Sequence, residues 1–360
     1  MAKHGDKYII FIIITIMAIG VVMVYSASHI YAFEKFKDSN YFLKKDIFAI
    51  IIGLIAFSIS ANIHYSKWRL LAFPLVFISI LMSLSLYFIP SVSLKIGGAV
   101  RWIRIFGIFQ FQPSEFSKLS LIIYLATLFS KKKAQLLDYS VAVIIVALQF
   151  FLIIEQPDFS TAFLVATIAA TMLFFNGVEM SYLIPAFLIG VTIGLHYIRE
   201  PYRWKRVKAF LDPWSDPYGS GYHIIHSLIA IGSGGLFGLG LGNSHQKFNY
   251  LPEPFTDFIF SIICEELGFI GASLLISLYI FLLYRIIKIV FVVKDKFSYL
   301  LLLGISCSFL LQILINIGVT LKMFPTTGIP LPLVSYGGSS LLINLTLLGI
   351  VYNISRQFSK

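Results

Sequence analysis

Long apolar runs, separated by short polar stretches, recur from one end of the chain to the other. Each run is long enough, or nearly so, to cross about 30 Å of hydrocarbon as a helix. The pattern therefore predicts an all-α polytopic membrane protein, with residues 1–360 forming one transmembrane domain. The ten predicted transmembrane helices are 8–26, 46–61, 69–89, 114–130, 140–154, 159–175, 181–198, 258–285, 298–318 and 336–353.

Composition agrees with this pattern, since 58% of the residues are hydrophobic and only 12% are charged. The first apolar run, Tyr8 to Tyr25, is longer than a typical signal-peptide core, so we expect an uncleaved first span. In a membrane protein the net charge of +11 indicates anionic lipid head groups rather than nucleic acid. Cys264 and Cys307 lie inside apolar runs and are expected to be packed thiols.

An even number of spans places both termini on one side of the membrane. Short basic segments at 131–133, 285–296 and the tail SRQFSK favour the cytoplasm for that side. Most acidic residues, Asp257 included, then lie at the outer face. A long extracytoplasmic loop, about 199–256 between helices 7 and 8, is longer than most loops in compact domains, which indicates a functional role.

This loop begins with REPYRWKRVKAFLDPW, in which basic and apolar residues alternate as in an amphipathic helix. Arg203 and Arg206 could bind a substrate, or the helix could anchor the loop to the membrane surface. The stretch YHIIHSLIAIGSGG predicts a further short helix. His223 and His226 have ligand-like spacing there, but the sequence offers no third metal ligand. The glycine-rich GSGGLFG and GLGLGN favour close backbone packing over nucleotide binding, because no strand precedes them.

Four helices begin at the predicted outer face with proline, serine, threonine or aspartate. Such residues are ordinary helix-start chemistry. Together, however, they would direct several backbone N–H groups toward one surface, which suits a phosphate group. A transporter site for a substrate carboxylate would use the same physics. The four openings are QPSEFSK at Gln112, QPDFST at Gln156, EPFTDF at Glu253 and SYGGSS at Ser335.

Charged residues near these starts could have a structural role or could bind a substrate. Glu115 and Lys118 are three residues apart and so share a helix face, which favours an ion pair. Arg101 and Arg104, beside Trp102, could each bind two phosphate oxygens at once. They could instead anchor the chain at the membrane–water interface.

Asp257, Glu265 and Glu266 lie in one segment, YLPEPFTDFIFSIICEELG. An acid at the first helical turn can complement the helix dipole or act as a general base. The two glutamates would lie about 12 Å deeper, where an unpaired carboxylate is costly. We predict that Glu266 bonds to other helices, and the role of Glu265 stays open.

Six stretches in order along nearly the whole chain resemble the signatures of the SEDS family (shape, elongation, division and sporulation). After GLG, the sequence NSHQKFNYLPE is more similar to division-type than to elongation-type members. The stretches are GGAVRWIRIFGIFQFQPSEFSKLSLIIYLA, EQPDFSTA, RVKAFLDPWSDPYGSGY, SLIAIGSGGLFGLGLGNSHQK, YLPEPFTDFIFSIICEELG and PTTGIPLPLVSYGGSS.

The resemblance implies a peptidoglycan glycosyltransferase that polymerises lipid II at the outer face of the bacterial cytoplasmic membrane, at the division site. Its implied partners are a class B penicillin-binding transpeptidase and other division proteins. Asp257 matches the essential aspartate of the family's PExxTDF motif and would be the general base of an inverting transfer that releases undecaprenyl pyrophosphate. Basic residues or a divalent cation, Mg or Mn, would stabilise the leaving group; no other cofactor is expected.

The predicted substrate-binding residues are Arg101, Glu115, Lys118, Arg203, Arg206, Ser244, Gln246, Lys247 and Glu253. The chain departs from the family pattern at Phe255, where His is common, at His223 and His226, where Gln is common, and at Asn249. Three alternatives remain: a lipid II flippase, an elongation-type polymerase and a scaffold that recruits the transpeptidase. A transporter should show inverted repeats with paired broken helices, and the sequence shows no such symmetry.

Overall fold

Twelve helices and a small sheet make up the computed structural model, which describes residues 5–89, 91, 93–96, 99–105, 109–131, 136–198, 201–248, 251–252 and 254–358. Each predicted span coincides with one long helix, which confirms the nearly all-helical membrane fold. The elements are α1 (Lys7–Phe36), α2 (Tyr41–Asn62), α3 (Trp68–Phe88), β1 (Ser93–Ile96), β2 (Ala99–Ile105), β3 (Phe109–Phe111), α4 (Pro113–Phe129), α5 (Leu136–Glu155), α6 (Phe159–Phe175), α7 (Met180–Ile198), α8 (Pro201–Leu211), α9 (Tyr222–Ser233), α10 (Ile259–Val292), α11 (Lys296–Thr320) and α12 (Gly338–Phe358).

Among the described residues, six helical stretches are long and apolar enough to cross a membrane by themselves. They are 7–36, 65–88, 137–155, 259–292, 296–320 and 338–358. The remaining predicted spans correspond to α2, α4, α6 and α7, which complete the bundle. The predicted short helices of the long loop are α8 and α9.

Helix α4 forms the centre of the bundle. Almost all of its side chains are buried, on every face of the helix. A helix that is covered all round must have neighbours on every side, and α4 contacts α3, α5, α6, α11 and α12. Its first turn therefore lies in the middle of one end of the bundle rather than at its edge.

Helices α2 and α12 approach closely because small residues lie between them. A Cβ at Gly349 would lie 1.9 Å from Ser60 Oγ and 2.6 Å from the carbonyl oxygen of Phe57. Small residues allow this kind of backbone approach between membrane helices. Asn353 of α12 also donates to the carbonyl of Ala61 at 2.7 Å. The first and last parts of the chain are thereby joined.

The three-stranded antiparallel sheet was not predicted. Strand β2 lies between β1 and β3, with Ser93 opposite Ile103 and Arg104 opposite Gln110. The sheet leads directly into α4 and carries Arg101. Arg101, which lies between two predicted spans, is therefore part of a hydrogen-bonded strand.

The chain's two ends meet at the end of the bundle remote from Asp257. The backbone N–H of Asp6 donates to Ser355 Oγ at 3.0 Å. Arg285 of α10 binds the carboxylate of Asp6. This contact confirms the prediction that both termini lie on one side.

Candidate active site

Asp257 lies in a turn formed by residues 254–258, directly before α10. The sequence placed it in the first helical turn, but the helix begins two residues later, at Ile259. The carboxylate borders a cavity of about 430 Å³. The cavity is lined by Tyr31, His223, Lys247, Leu251, Pro252, Pro254, Thr256, Asp257 and Phe258.

Three consecutive carbonyl groups hold the Asp257 turn in place. The carbonyl of Phe255 accepts from the N–H of Tyr336 at 2.9 Å. The next carbonyl, of Thr256, accepts from Ser335 Oγ at 2.6 Å, and that of Asp257 accepts from Asn316 Nδ2 at 2.9 Å. The turn is thus fastened to α11 and to the segment before α12. Its position depends on the bundle and not on the local sequence alone.

Basic groups approach Asp257 from strand β2 and helix α8. A Cβ placed at Gly328 would lie 4.0 Å from both Arg101 Nη1 and Asp257 Oδ2, so the two charged groups are at most twice that distance apart. Arg101 Nε donates to the carbonyl of Gln156 at 2.9 Å. Arg206 Nη1 donates to the carbonyl of Thr326 at 3.1 Å. Residues 326–328 therefore join both arginines to the site.

Lys247 lines the cavity and is paired with a buried carboxylate. Its Nζ lies 2.8 Å from Glu266 Oε1 and 3.2 Å from Ser26 Oγ. Ser26 belongs to α1, and its hydroxyl lies 2.7 Å from each carboxylate oxygen of Glu266. Glu266 is fully buried. The prediction that Glu266 bonds to other helices is confirmed.

Glu265 organises the loop that carries Lys247. It accepts from Ser244 Oγ at 2.5 Å and from the N–H groups of His245 at 2.9 Å and Gln246 at 3.4 Å. The side chain of Gln246 in turn bonds to His226 Nδ1 at 2.7 Å. Ser244 and Gln246, predicted to bind substrate, are used here to fix the loop and do not line the cavity.

The glycine-rich segment 234–240 packs backbone to backbone against α10, as predicted. Gly268 interrupts α10 with φ 66° and ψ −168°, a backbone conformation that favours glycine. The carbonyls of Glu265 and Glu266 accept from the N–H groups of Leu239 at 2.9 Å and Gly240 at 3.0 Å. A Cβ at Gly238 would lie 2.2 Å from the carbonyl oxygen of Glu266. The N–H groups of Leu239 and Gly240 thus satisfy the carbonyl groups that the helix break exposes.

Three of the predicted helix starts converge beside this site. Gln112, before α4, donates through Nε2 to Asp158 at 3.0 Å, and its N–H donates to Ser339 of α12 at 3.0 Å. Asp158 caps α6 by accepting from the N–H of Thr161. The starts of α4, α6 and α12 are therefore linked, and the contacts of Ser335 and Tyr336 with residues 255–256 join them to the Asp257 turn.

Glu115 and Lys118 form the predicted ion pair, with 2.7 Å between Oε2 and Nζ. Both side chains are almost completely buried. Lys118 also donates to Gln312 of α11 at 3.1 Å. The pair connects α4 to α11 inside the bundle. Its predicted role in substrate binding stays a prediction.

Arg203 and Arg104 do not line the cavity. Arg203 donates to the carbonyl of Tyr197 at 3.3 Å and stacks over that ring. Arg104 is exposed on the sheet. Glu253 and Asn249 lie outside the described residues.

His223 lines the cavity and stacks on Phe258, with 5.7 Å between ring centroids. Its Nδ1 is buried and has no hydrogen-bond partner among the described residues. Burial lowers the pKa of His223, and the charges of Arg206 and His226 lower it further. The ring is therefore neutral at neutral pH.

A divalent cation would need several carboxylate or histidine ligands close together. In the described part of the chain, no three His, Cys, Asp or Glu side chains have a metal-binding arrangement. Basic groups, from Lys247 and Arg101, approach Asp257 instead. The expected Mg or Mn stays a prediction.

Sequence reasoning missed Asn316, Gly328 and Tyr31. Asn316 had a usable signal, because a polar side chain within an apolar span is often functional. Its Nδ2 bonds both the Asp257 and Ile329 carbonyls. Gly328 and Tyr31 had no local signal, since their importance comes only from tertiary contacts.

Fold and site together define a multi-pass membrane protein with a charged cavity at one end of its helix bundle. A profile of the FtsW/RodA/SpoVE family, described as cell cycle protein, matches residues 6–360. The chain belongs to this family, as the resemblance to SEDS proteins predicted.

Curated relatives are similar over almost the full chain. Stage V sporulation protein E of Bacillus subtilis is 42% identical over 357 residues, covering 98% of this chain and 97% of that protein. The probable peptidoglycan glycosyltransferase FtsW of Trichlorobacter lovleyi is 40% identical over 358 residues, covering 97% and 93%. Several further relatives also have the name FtsW, which agrees with the predicted division-type similarity.

Solved structures share the fold. One chain, from work described as structural coordination of polymerization and crosslinking by a peptidoglycan synthase complex, has a TM-score of 0.79 and 30% identity, covering 99% of both chains. The rod shape determining protein RodA of Thermus thermophilus has a TM-score of 0.72 and 28% identity, covering 99% of this chain and 98% of that one.

Proposed function

We propose that this protein is a peptidoglycan glycosyltransferase that polymerises lipid II, with Asp257 as the general base. The observation that carries the proposal is the carboxylate of Asp257 at the edge of a cavity whose lining also contains Lys247. The names of the FtsW relatives support the same activity.

In the proposed reaction, Asp257 accepts the proton of a sugar 4-hydroxyl as that oxygen attacks the anomeric carbon of the lipid-linked donor. The bond from the anomeric carbon to the pyrophosphate oxygen breaks on the opposite side, so the configuration inverts. Undecaprenyl pyrophosphate leaves with the electron pair and needs charge stabilisation rather than a proton. Arg101, whose Nη1 lies near Asp257 Oδ2, is the basic group placed to supply it.

The rigid attachment of the Asp257 turn supports this role. A general base must be held within hydrogen-bond distance of the proton that it removes. Hydrogen bonds from Asn316, Ser335 and Tyr336 fix the three carbonyls of this turn. The substrate is therefore met by a preorganised carboxylate.

The proposal includes a location and partners. We place the cavity at the outer face of the bacterial cytoplasmic membrane, at the division site. The partners are a class B penicillin-binding transpeptidase and other division proteins. The similarity to a chain of a peptidoglycan synthase complex supports the transpeptidase.

The decisive experiment combines purified protein, its cognate transpeptidase and labelled lipid II in detergent. Polymer formed by the wild type and lost in Asp257→Asn supports the proposal. A flippase would form no polymer here, because moving lipid II across a membrane forms no glycosidic bond. Asp38→Asn is the matched control, since Asp38 is a partly exposed acid paired with Lys44 outside the cavity. Polymerisation by Asp257→Asn at the wild-type rate would refute the assignment.

A further inference from the structure

A second cavity lies at the opposite end of the bundle, roughly 40 Å along α10 from its start. Its volume is about 550 Å³. The proposed reaction uses none of its residues, so it is a separate feature. Its lining comes from the start of α1, the inner part of α10 and the end of α12: Gly5, Asp6, Lys7, Tyr8, Arg285, Lys288, Ile289, Val292, Ser355 and Phe358.

The charges of this cavity do not balance. Arg285 is neutralised by Asp6, whose Oδ2 lies 2.8 Å from Nε and 2.5 Å from Nη2. The guanidinium also stacks over the ring of Tyr8 at 4.8 Å. Lys7 and Lys288 are exposed, and neither has a carboxylate partner in the described part of the chain. The cavity lining therefore has two excess positive charges, which favour an anion.

The other wall of the cavity is apolar. Ile289, Val292 and Phe358 contribute to it. Next to it, α10 carries exposed Tyr284 and Phe291, the latter 84% exposed. Because α10 is a membrane-spanning helix, this face meets lipid. A ligand with an anionic head and apolar chains would use both walls, whereas a soluble phosphate would leave the apolar wall uncovered.

We propose that this cavity binds an anionic phospholipid. Its phosphate is bound by Lys7 and Lys288, and its acyl chains lie along the exposed face of α10. A lysine near a membrane surface strengthens binding to anionic lipid by about fivefold. The bound lipid connects α1, α10 and α12, and it stabilises the folded protein because the unfolded chain has no such site.

Native mass spectrometry of the full chain in detergent tests this assignment, with phosphatidylglycerol and phosphatidylcholine offered at equal concentration. We expect the wild type to retain phosphatidylglycerol preferentially. Lys7→Gln combined with Lys288→Gln should weaken that binding by about tenfold or more. Arg285 is left unchanged, because its loss would leave the carboxylate of Asp6 without its partner.

Lys67→Gln combined with Lys296→Gln is the matched control, since both lysines are exposed at the same end of the bundle and outside the cavity. It should bind phosphatidylglycerol like the wild type. Wild-type binding by the cavity double variant, or equal retention of the two lipids, would overturn the proposal. Displacement by glycerol 3-phosphate at concentrations similar to those of the lipid would also overturn it, because the site would then recognise a free anion. None of these outcomes depends on polymerisation.

Discussion

Asp257 and Glu266 belong to one short segment, but their carboxylates have opposite surroundings. Glu266 is fully buried and receives hydrogen bonds from Ser26 and Lys247. Asp257 borders a cavity large enough for part of a substrate. A buried acid whose charge is balanced by the chain stabilises the structure, whereas an acid at a cavity is accessible to a reactant. The contrast assigns a catalytic role to Asp257 and a structural role to Glu266, and each role can be tested separately.

The largest expected effect is the loss of activity in Asp257→Asn. An amide cannot accept the hydroxyl proton, so the polymerisation rate should fall by about 10² to 10⁴. The unfolding temperature should stay close to that of the wild type, because the turn is held by backbone carbonyls. Rate and thermal unfolding are measured on the same preparation. A large loss of stability together with activity would indicate that Asp257 is mainly structural.

Glu266→Ala should show the opposite result, a stability loss of about 3–5 kcal/mol. The substitution leaves Lys247 buried without its carboxylate. Chemical unfolding in detergent measures the change. Glu179→Ala is the control and should remain within about 0.5 kcal/mol, since Glu179 is exposed. Wild-type stability of Glu266→Ala would contradict the contrast between the two acids.

Asn316→Ala tests how the Asp257 turn is held against α11. The carbonyls of Asp257 and Ile329 lose a donor, which should cost about 1–3 kcal/mol. The less ordered turn should also lower the polymerisation rate by roughly tenfold. Asn62→Ala, at an exposed position, controls for the loss of an amide. If Asn316→Ala polymerises at the wild-type rate per folded molecule, the hydrogen bond does not position Asp257.

The smallest effect concerns His223 and pH. Burial, with the charges of Arg206 and His226, lowers the pKa of His223. In the unfolded chain the histidine takes up a proton near pH 6.5, whereas in the folded chain it does so only at a lower pH. Protonation therefore favours the unfolded chain, and stability falls as the pH drops below about 6.5. His223→Gln should remove part of this loss. Unfolding temperatures at about pH 7.5 and 5.5 measure it, and the exposed His64→Gln is the control. An unchanged pH dependence in His223→Gln would refute the effect.

Features with a strong local pattern were predicted from the sequence. Hydrophobic runs located all ten long helices, and the three-residue spacing of Glu115 and Lys118 located their ion pair. The helix starts at Gln112 and Ser335 were expected at one face, and their contacts confirm it. Helix ends were less accurate, because α1 continues to Phe36 and α10 to Val292. An apolar run is only as long as the hydrocarbon layer is thick. The backbone hydrogen bonds of a helix can continue beyond that layer into polar sequence, so the helix ends later than the run.

The sheet and the role of Glu265 could not be predicted in the same way. Strands β1 and β3 are only four and three residues long, too short for a recognisable alternation. Glu265 binds Ser244, His245 and Gln246, which lie 19 to 21 residues earlier in the chain and reach it only through the fold of the loop. Such contacts exist only after the loop has folded, so no local pattern in the sequence reports them.

The break at Gly268 constrains how this protein can be recombined with its relatives. The carbonyls of Glu265 and Glu266 take their hydrogen bonds from Leu239 and Gly240, so helix and loop are one interdependent unit. A chimaera that exchanges α10 but keeps the native 234–240 segment would have to form these hydrogen bonds between segments from two different parents. Crossover points placed before residue 234 and after residue 270 keep both partners from the same parent.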